Sequence, residues 1–145
     1  MSRKEETSHR RNVLFLCSGN SSRSIMAEAI LNRIGAPRFH AFSAGSHPKG
    51  HVHPEALLLL EKNGYDLTGL RSKSWDEFAC GMAIDHIATV CNKAAAETCP
   101  VIPGRPAKLH WDIPDPASRT PVEMKAAFRQ AYDMLLERIE KFVRQ

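Results

Sequence analysis

Cys17 and Arg23 stand six positions apart, and the five residues between them, Ser18, Gly19, Asn20, Ser21 and Ser22, are all small. Small residues let a chain curl until successive backbone N–H groups point inward as an anion nest. A helix beginning just after the loop would add its unpaired N–H groups and its positive dipole end. In that field a cysteine ionises readily, and Arg23 can close on a tetrahedral anion with two parallel hydrogen bonds. The predicted chemistry is attack of a Cys17 thiolate on a bound oxyanion, the same donors tightening as the attacked centre becomes five-coordinate. The competing reading makes Cys17 a structural thiol and Arg23 a solvated charge, and the run of small residues argues against it.

A departing oxygen must be protonated, which calls for a carboxylic acid nearby. Asp112 and Asp115 flank Ile113-Pro114, and Asp115 precedes Pro116 in a rigid turn. It is placed either to donate that proton or to be an ordinary turn aspartate. Cys91 and Cys99 are close in sequence and fall on one segment. Each can be a core thiol, but a pair near a reactive thiolate can take over an adduct on Cys17 and pass the oxidation outward by thiol–disulfide exchange. Cys80 has no such placement and is expected to be structural. The cysteines lack a CxxC pair and the histidines are scattered, so no metal site is expected.

These residues need elements to hold them. The apolar run at 12–16 reads as a central first strand ending at Cys17, and 24–34 as a helix stopped by Gly35. A second strand is expected at 39–44 and a helix at 54–63, with Pro54 at its start and Gly64 past its end. Residues 65–83 read as irregular or short-helical, 84–91 as a third strand and 108–113 as the last. Thr120, Pro121 and Glu123 predict a capped final helix with a capping box. Its apolar stripe is Met124, Phe128, Ala131, Leu135, Ile139 and Phe142. Alternating strands and helices predict an α/β fold, a four-stranded parallel sheet with helices on both faces. Ligands in such sheets bind at the carboxyl ends of the strands, where Cys17, Cys91 and Asp115 all fall.

The chain has 145 residues, 43% hydrophobic and 25% charged. One domain at 12–145 is expected, preceded by a loose polar tail at 1–11. The charge of +4, from 20 basic and 16 acidic residues, suits a small anion and shows no basic stripe for nucleic acid. No apolar stretch is long enough for a bilayer and no secretory signal is visible, so no membrane partner and a cytoplasmic location are expected.

Taken together, the run Val13-Leu-Phe-Leu-Cys-Ser-Gly-Asn-Ser-Ser-Arg-Ser24, then Met26-Ala-Glu28, Ser43-Ala-Gly45 and Asp115-Pro116, resembles the low-molecular-weight protein tyrosine phosphatase superfamily. Within it the likeness is greatest to the thioredoxin-linked arsenate reductases, through Thr89-Val-Cys91-Asn92, Glu97-Thr-Cys99-Pro100 and His110-Trp111. The resemblance implies a low-molecular-weight phosphatase-like fold, with Cys17 as nucleophile, Arg23 as oxyanion clamp, Asn20 as loop organiser and Asp115 as proton donor. It also implies reduction of arsenate to arsenite through Cys17, Cys91 and Cys99, with no bound cofactor and with reducing equivalents from thioredoxin or a similar thiol donor. The phosphatase branch carries aromatic residues after its Asp-Pro, where this chain has Ala117. Two departures are the Cys91–Cys99 interval, one residue longer than in the best-known Gram-positive reductases, and Ser22, where some relatives carry cysteine. Hydrolysis of phosphotyrosine or another phosphomonoester is the alternative activity, and a non-catalytic phosphopeptide-binding module is the alternative of another class.

Overall fold

A computed structural model describes residues 10–96, 102–118 and 120–145. The first apolar run forms β1, Arg11–Leu16, so Arg11 belongs to the strand rather than to the tail expected at 1–11. Its neighbours are β2, Phe39–Ala44, and β3, His86–Thr89, with β4, Ala107–His110, beyond β3. All pairings are parallel and the order is β2-β1-β3-β4. β1 is therefore bonded on both sides, and its register sets Leu16 opposite both Ala44 and Thr89. The strand ends that carry the chemistry share one edge of the sheet.

The helices are α1, Arg23–Ile34, α2, Pro54–Lys62, α3, Asn92–Ala96, and α4, Pro121–Val143. The leucine run at 57–60 resolves as helical, because Ala56 and Leu60, four apart, are buried while Leu58 is half exposed. Alternation along β1 divides the core. Val13 and Phe15 pack with residues of all four α-helices. Leu14 and Leu16 face Phe78, Ile84, Ile87 and Ile102, with a 3-10 turn at Trp75–Phe78 over them. Helical segments thus cover both faces of the four-stranded parallel sheet.

α4 buries Phe128, Ala131, Leu135 and Ile139 of its stripe, while Met124 and Phe142 are half-buried at its ends. The expected capping box does not form. Thr120 gives no side-chain cap, and the Glu123 N–H instead donates to the Thr120 carbonyl at 3.0 Å. The third and fourth strands are shorter than their apolar runs. Ile84 is buried before β3 begins, and Trp111 and Ile113 are buried after β4 has ended. Asp85 does not enter the ladder with its side chain; its Oδ2 accepts from Asn12 N at 2.8 Å and closes the start of β1.

Candidate active site

The loop at 17–23 is held by its carbonyls. Ser18 O accepts from His47 N at 2.8 Å, Gly19 O from Lys49 N at 3.0 Å, and Ser21 O from His53 N at 2.9 Å. Ser22 O accepts from Met26 N and opens α1. With the carbonyls turned into the protein, no described carbonyl takes the N–H groups of Gly19, Asn20, Ser21 or Ser22. That is the anion nest expected from the residue sizes. Asn20 holds a left-handed conformation, φ 44°, which asparagine tolerates better than most residues. Gly45 is the loop's backstop: a Cβ there would lie 2.5 Å from Ser18 O and 2.8 Å from Cys17 O.

Cys17 is buried at the end of β1, 3.2 Å from Ser24 Oγ. The direction of that hydrogen bond follows from its neighbours. Lys73 N donates to Asn20 Oδ1 at 2.8 Å, so the Asn20 amide nitrogen faces the other way and donates to Ser24 Oγ at 2.7 Å. Ser24, already accepting, has its own proton free for the sulfur. A hydrogen bond with the Cys91 thiol is the largest influence on Cys17, and with Ser24 and the Arg23 charge it overcomes burial and brings the thiol down to about 5. These surroundings favour the Cys17 thiolate over the thiol.

Cys91 lies just beyond β3 and is buried. Its sulfur accepts from Ser18 N at 3.3 Å and from Ala94 N at 3.4 Å. Its hydrogen bond to Cys17, followed by burial, holds its own ionisation well above the usual thiol range. The structure thus places Cys91 in the same cavity lining as Cys17, touching the loop that follows it. Cys99 lies outside the described residues. Cys80 is exposed rather than structural: it falls after the 3-10 turn at Trp75–Phe78, whose Phe78 takes the core position instead.

Arg23 opens α1 and points across to the opposite wall. Its Nη1 donates to Ile113 O at 2.9 Å, and its Nη2 lies 3.9 Å from Asp115 Oδ2. Asp115 is 47% exposed against 14% for Arg23, and its Oδ1 accepts from Ala117 N at 3.0 Å. It is thus a turn aspartate and a cavity residue at once. The cavity is about 560 Å³ and is lined by Cys17, Arg23, Cys91 and Asp115, with Lys49 and Lys93 among its other residues. Ser21 Oγ is buried in this lining with no hydrogen-bond partner, a donor aimed at nothing in the protein itself. None of the lining residues is phenylalanine, tyrosine or tryptophan.

Sequence reasoning missed two supports. One is the stretch from 45 to 53, whose main-chain N–H groups anchor the loop and leave no trace in residue type. The other is His110, which bonds Thr89 Oγ1 and Asn92 Oδ1, each at 2.8 Å, and so clamps both ends of the Cys91 turn. His110-Trp111 carried a signal only through the family resemblance. Among the described residues, no group of three His, Cys, Asp or Glu could hold a metal ion, and no helix is long and apolar enough to cross a membrane.

Known proteins are similar to this chain in sequence and fold. An arsenate reductase of Halalkalibacterium halodurans is 34% identical over 132 residues, 90% of this chain and 93% of that protein. The crystal structure of an arsenate reductase from Archaeoglobus fulgidus superposes with a TM-score of 0.73 at 30% identity, covering 92% of this chain and 99% of that one. An arsenate reductase solved in its phosphate binding state gives 0.72 at 25% identity, covering 92% and 97%. The sequence profile described as low molecular weight phosphotyrosine protein phosphatase matches residues 12–145 and so spans the loop, Cys91 and the Asp115 turn. The chain belongs to the low-molecular-weight phosphotyrosine protein phosphatase family.

Proposed function

We propose that this chain reduces arsenate to arsenite, using Cys17 as nucleophile and Cys91 and Cys99 as an internal thiol relay that a thioredoxin-like donor recharges. The observation that carries the reading is the second sulfur: Cys91 lines the same cavity as Cys17, and its Sγ accepts from the Ser18 N–H of the anion loop at 3.3 Å. A hydrolase needs no thiol there. The arsenate reductases among the relatives, one of them solved with phosphate bound, support the same oxyanion class.

The Cys17 thiolate attacks arsenic(V), and one oxygen leaves as water with a proton from Asp115. The nest, Ser21 Oγ and Arg23 hold the remaining oxygens. Cys91 then attacks the Cys17 sulfur. The sulfur–arsenic electron pair passes to arsenic, which leaves as arsenite, and a Cys17–Cys91 disulfide is formed. Cys99 attacks Cys91, Cys17 departs as thiolate, and the Cys91–Cys99 disulfide is reduced by an external dithiol. The order of events is built into the thiol pair. While Cys17 is anionic, its hydrogen bond keeps Cys91 protonated. Once Cys17 is bonded to arsenic that charge is gone, and the Ser18 and Ala94 N–H groups remain to favour a Cys91 thiolate.

The test is arsenite production from arsenate by the purified protein with thioredoxin, thioredoxin reductase and NADPH. Wild type turns over and Cys91→Ser does not. An unchanged rate in Cys91→Ser would sink the relay. A second reading, phosphomonoester hydrolysis, is favoured by Asp115 at the cavity beside Arg23, where a leaving alkoxide would need its proton. It predicts no arsenite from fully reduced wild type, and hydrolysis of p-nitrophenyl phosphate that survives Cys91→Ser.

A further inference from the structure

Behind the loop, away from the cavity, lies a second set of charges that none of these steps uses. Lys73 is buried, with only 9% of its surface exposed, and its Nζ donates to Arg71 O at 2.9 Å. Glu28, half-buried on α1, accepts from the hydroxyl of the fully buried Ser43 at 2.6 Å. Lys73 is the main positive charge acting on Glu28, ahead of Arg71, and Glu28 the main negative charge acting on Lys73, ahead of Glu77. Burial works against the charged form of both, so neither charge is there for packing.

What the ammonium holds in place is its own main chain. Lys73 N donates to Asn20 Oδ1 and Lys73 O accepts from Gly45 N at 2.9 Å, so one residue clips the loop's organiser to its backstop. The Lys73 N–H decides which end of the Asn20 amide faces Ser24, and that decides whether the Ser24 proton is available to Cys17. We propose that Lys73 is a positioning residue for the nucleophile: its buried ammonium, bonded to the Arg71 carbonyl, fixes the Asn20–Ser24–Cys17 hydrogen-bond chain in the one polarity that serves a thiolate. The proposal rests on Cys17 being the nucleophile and is indifferent to whether the substrate is arsenate or a phosphomonoester.

The groups that face Cys17 directly are Cys91, Ser24 and Arg23, and these stay intact in the test. The rate of Cys17 alkylation by iodoacetamide is followed against pH on the full chain, by peptide mapping to separate Cys17 from the exposed Cys80, with phosphate protection marking the site. Wild type is expected to have its midpoint at about 5. Lys73→Met raises it by about one pH unit, the worth of one hydrogen bond to the thiolate. Asn20→Ala raises it similarly, and the double variant adds little more, because both break one chain.

Glu28→Gln gives the decisive sign. Loss of a nearby negative charge by itself lowers the midpoint, whereas loosening Lys73 raises it. A midpoint that falls or stays fixed in Glu28→Gln, or one unmoved in Lys73→Met, overturns the proposal. Should Lys73→Met fail to fold, Glu28→Gln and Lys73→Arg carry the test, the arginine variant staying near the wild-type midpoint. None of these readings needs arsenate turnover, so failure of the reductase assay and failure of this proposal are separate results.

Discussion

On one wall of the cavity, the loop around Cys17 has its carbonyls bonded to residues 47–53, its organiser Asn20 fully buried, and Gly45 pressed against it. On the other wall, Asp115 is nearly half exposed, follows a four-residue strand, and reaches Arg23 only at 3.9 Å. The loop around the proposed nucleophile is already held by the protein, as an anion nest must be if its donors are to act without reorganising. The proposed acid is the more exposed group, which suits a carboxyl that must exchange a proton with its surroundings. Burial is concentrated around the nest, and exposure around the carboxyl group.

Substitutions can break this contrast or sharpen it. The largest effect is expected from Arg23→Lys, which removes the fork joining the two walls and should lower kcat/KM for the oxyanion about 10³-fold. An intact rate would mean that the loop alone holds the anion. Asp115→Asn should follow, with kcat down about 10²-fold and oxyanion affinity, read by phosphate protection of Cys17, little changed. If affinity collapsed as well, the open wall would be a binding element. Gly45→Ala attacks the rigid wall: its Cβ meets Ser18 O at 2.5 Å. It should cost about 2 kcal/mol of stability in denaturant unfolding and about tenfold in kcat, since the loop must shift. The smallest effect belongs to Cys80→Ser, at an exposed position away from the cavity, where turnover should stay within about twofold of wild type. A larger loss would place a third described sulfur in the relay.

The sequence made the rigid wall more legible than the open one. β2 falls at 39–44, the span expected of the second strand, and the nest was readable because small residues between a strand and a helix leave the backbone few other uses. The stretch from 45 to 53 was not readable as a support, since its donors are main-chain N–H groups that any residue but proline supplies. On the acid side, apolar runs overstated the strands. Ile84, Trp111 and Ile113 are apolar because they are buried, and burial outlasts the hydrogen-bonded ladder at both strand ends. The Thr120 box failed for a related reason: Glu123 N–H already had a main-chain acceptor, so the Thr120 hydroxyl was not required.

Parallel pairing of β1 with β3 has a further consequence. Leu16 lies opposite Thr89, so the strands run out at the same level and the residues that follow them emerge side by side. The nearness of Cys17 and Cys91 is therefore inherited from the backbone rather than negotiated by side chains. In evolutionary terms, a pocket that ends its cycle with water and one that ends it by passing electrons are neighbours on this scaffold. A thiol at the end of β3 reaches the site with the loop after β1 left as it stands.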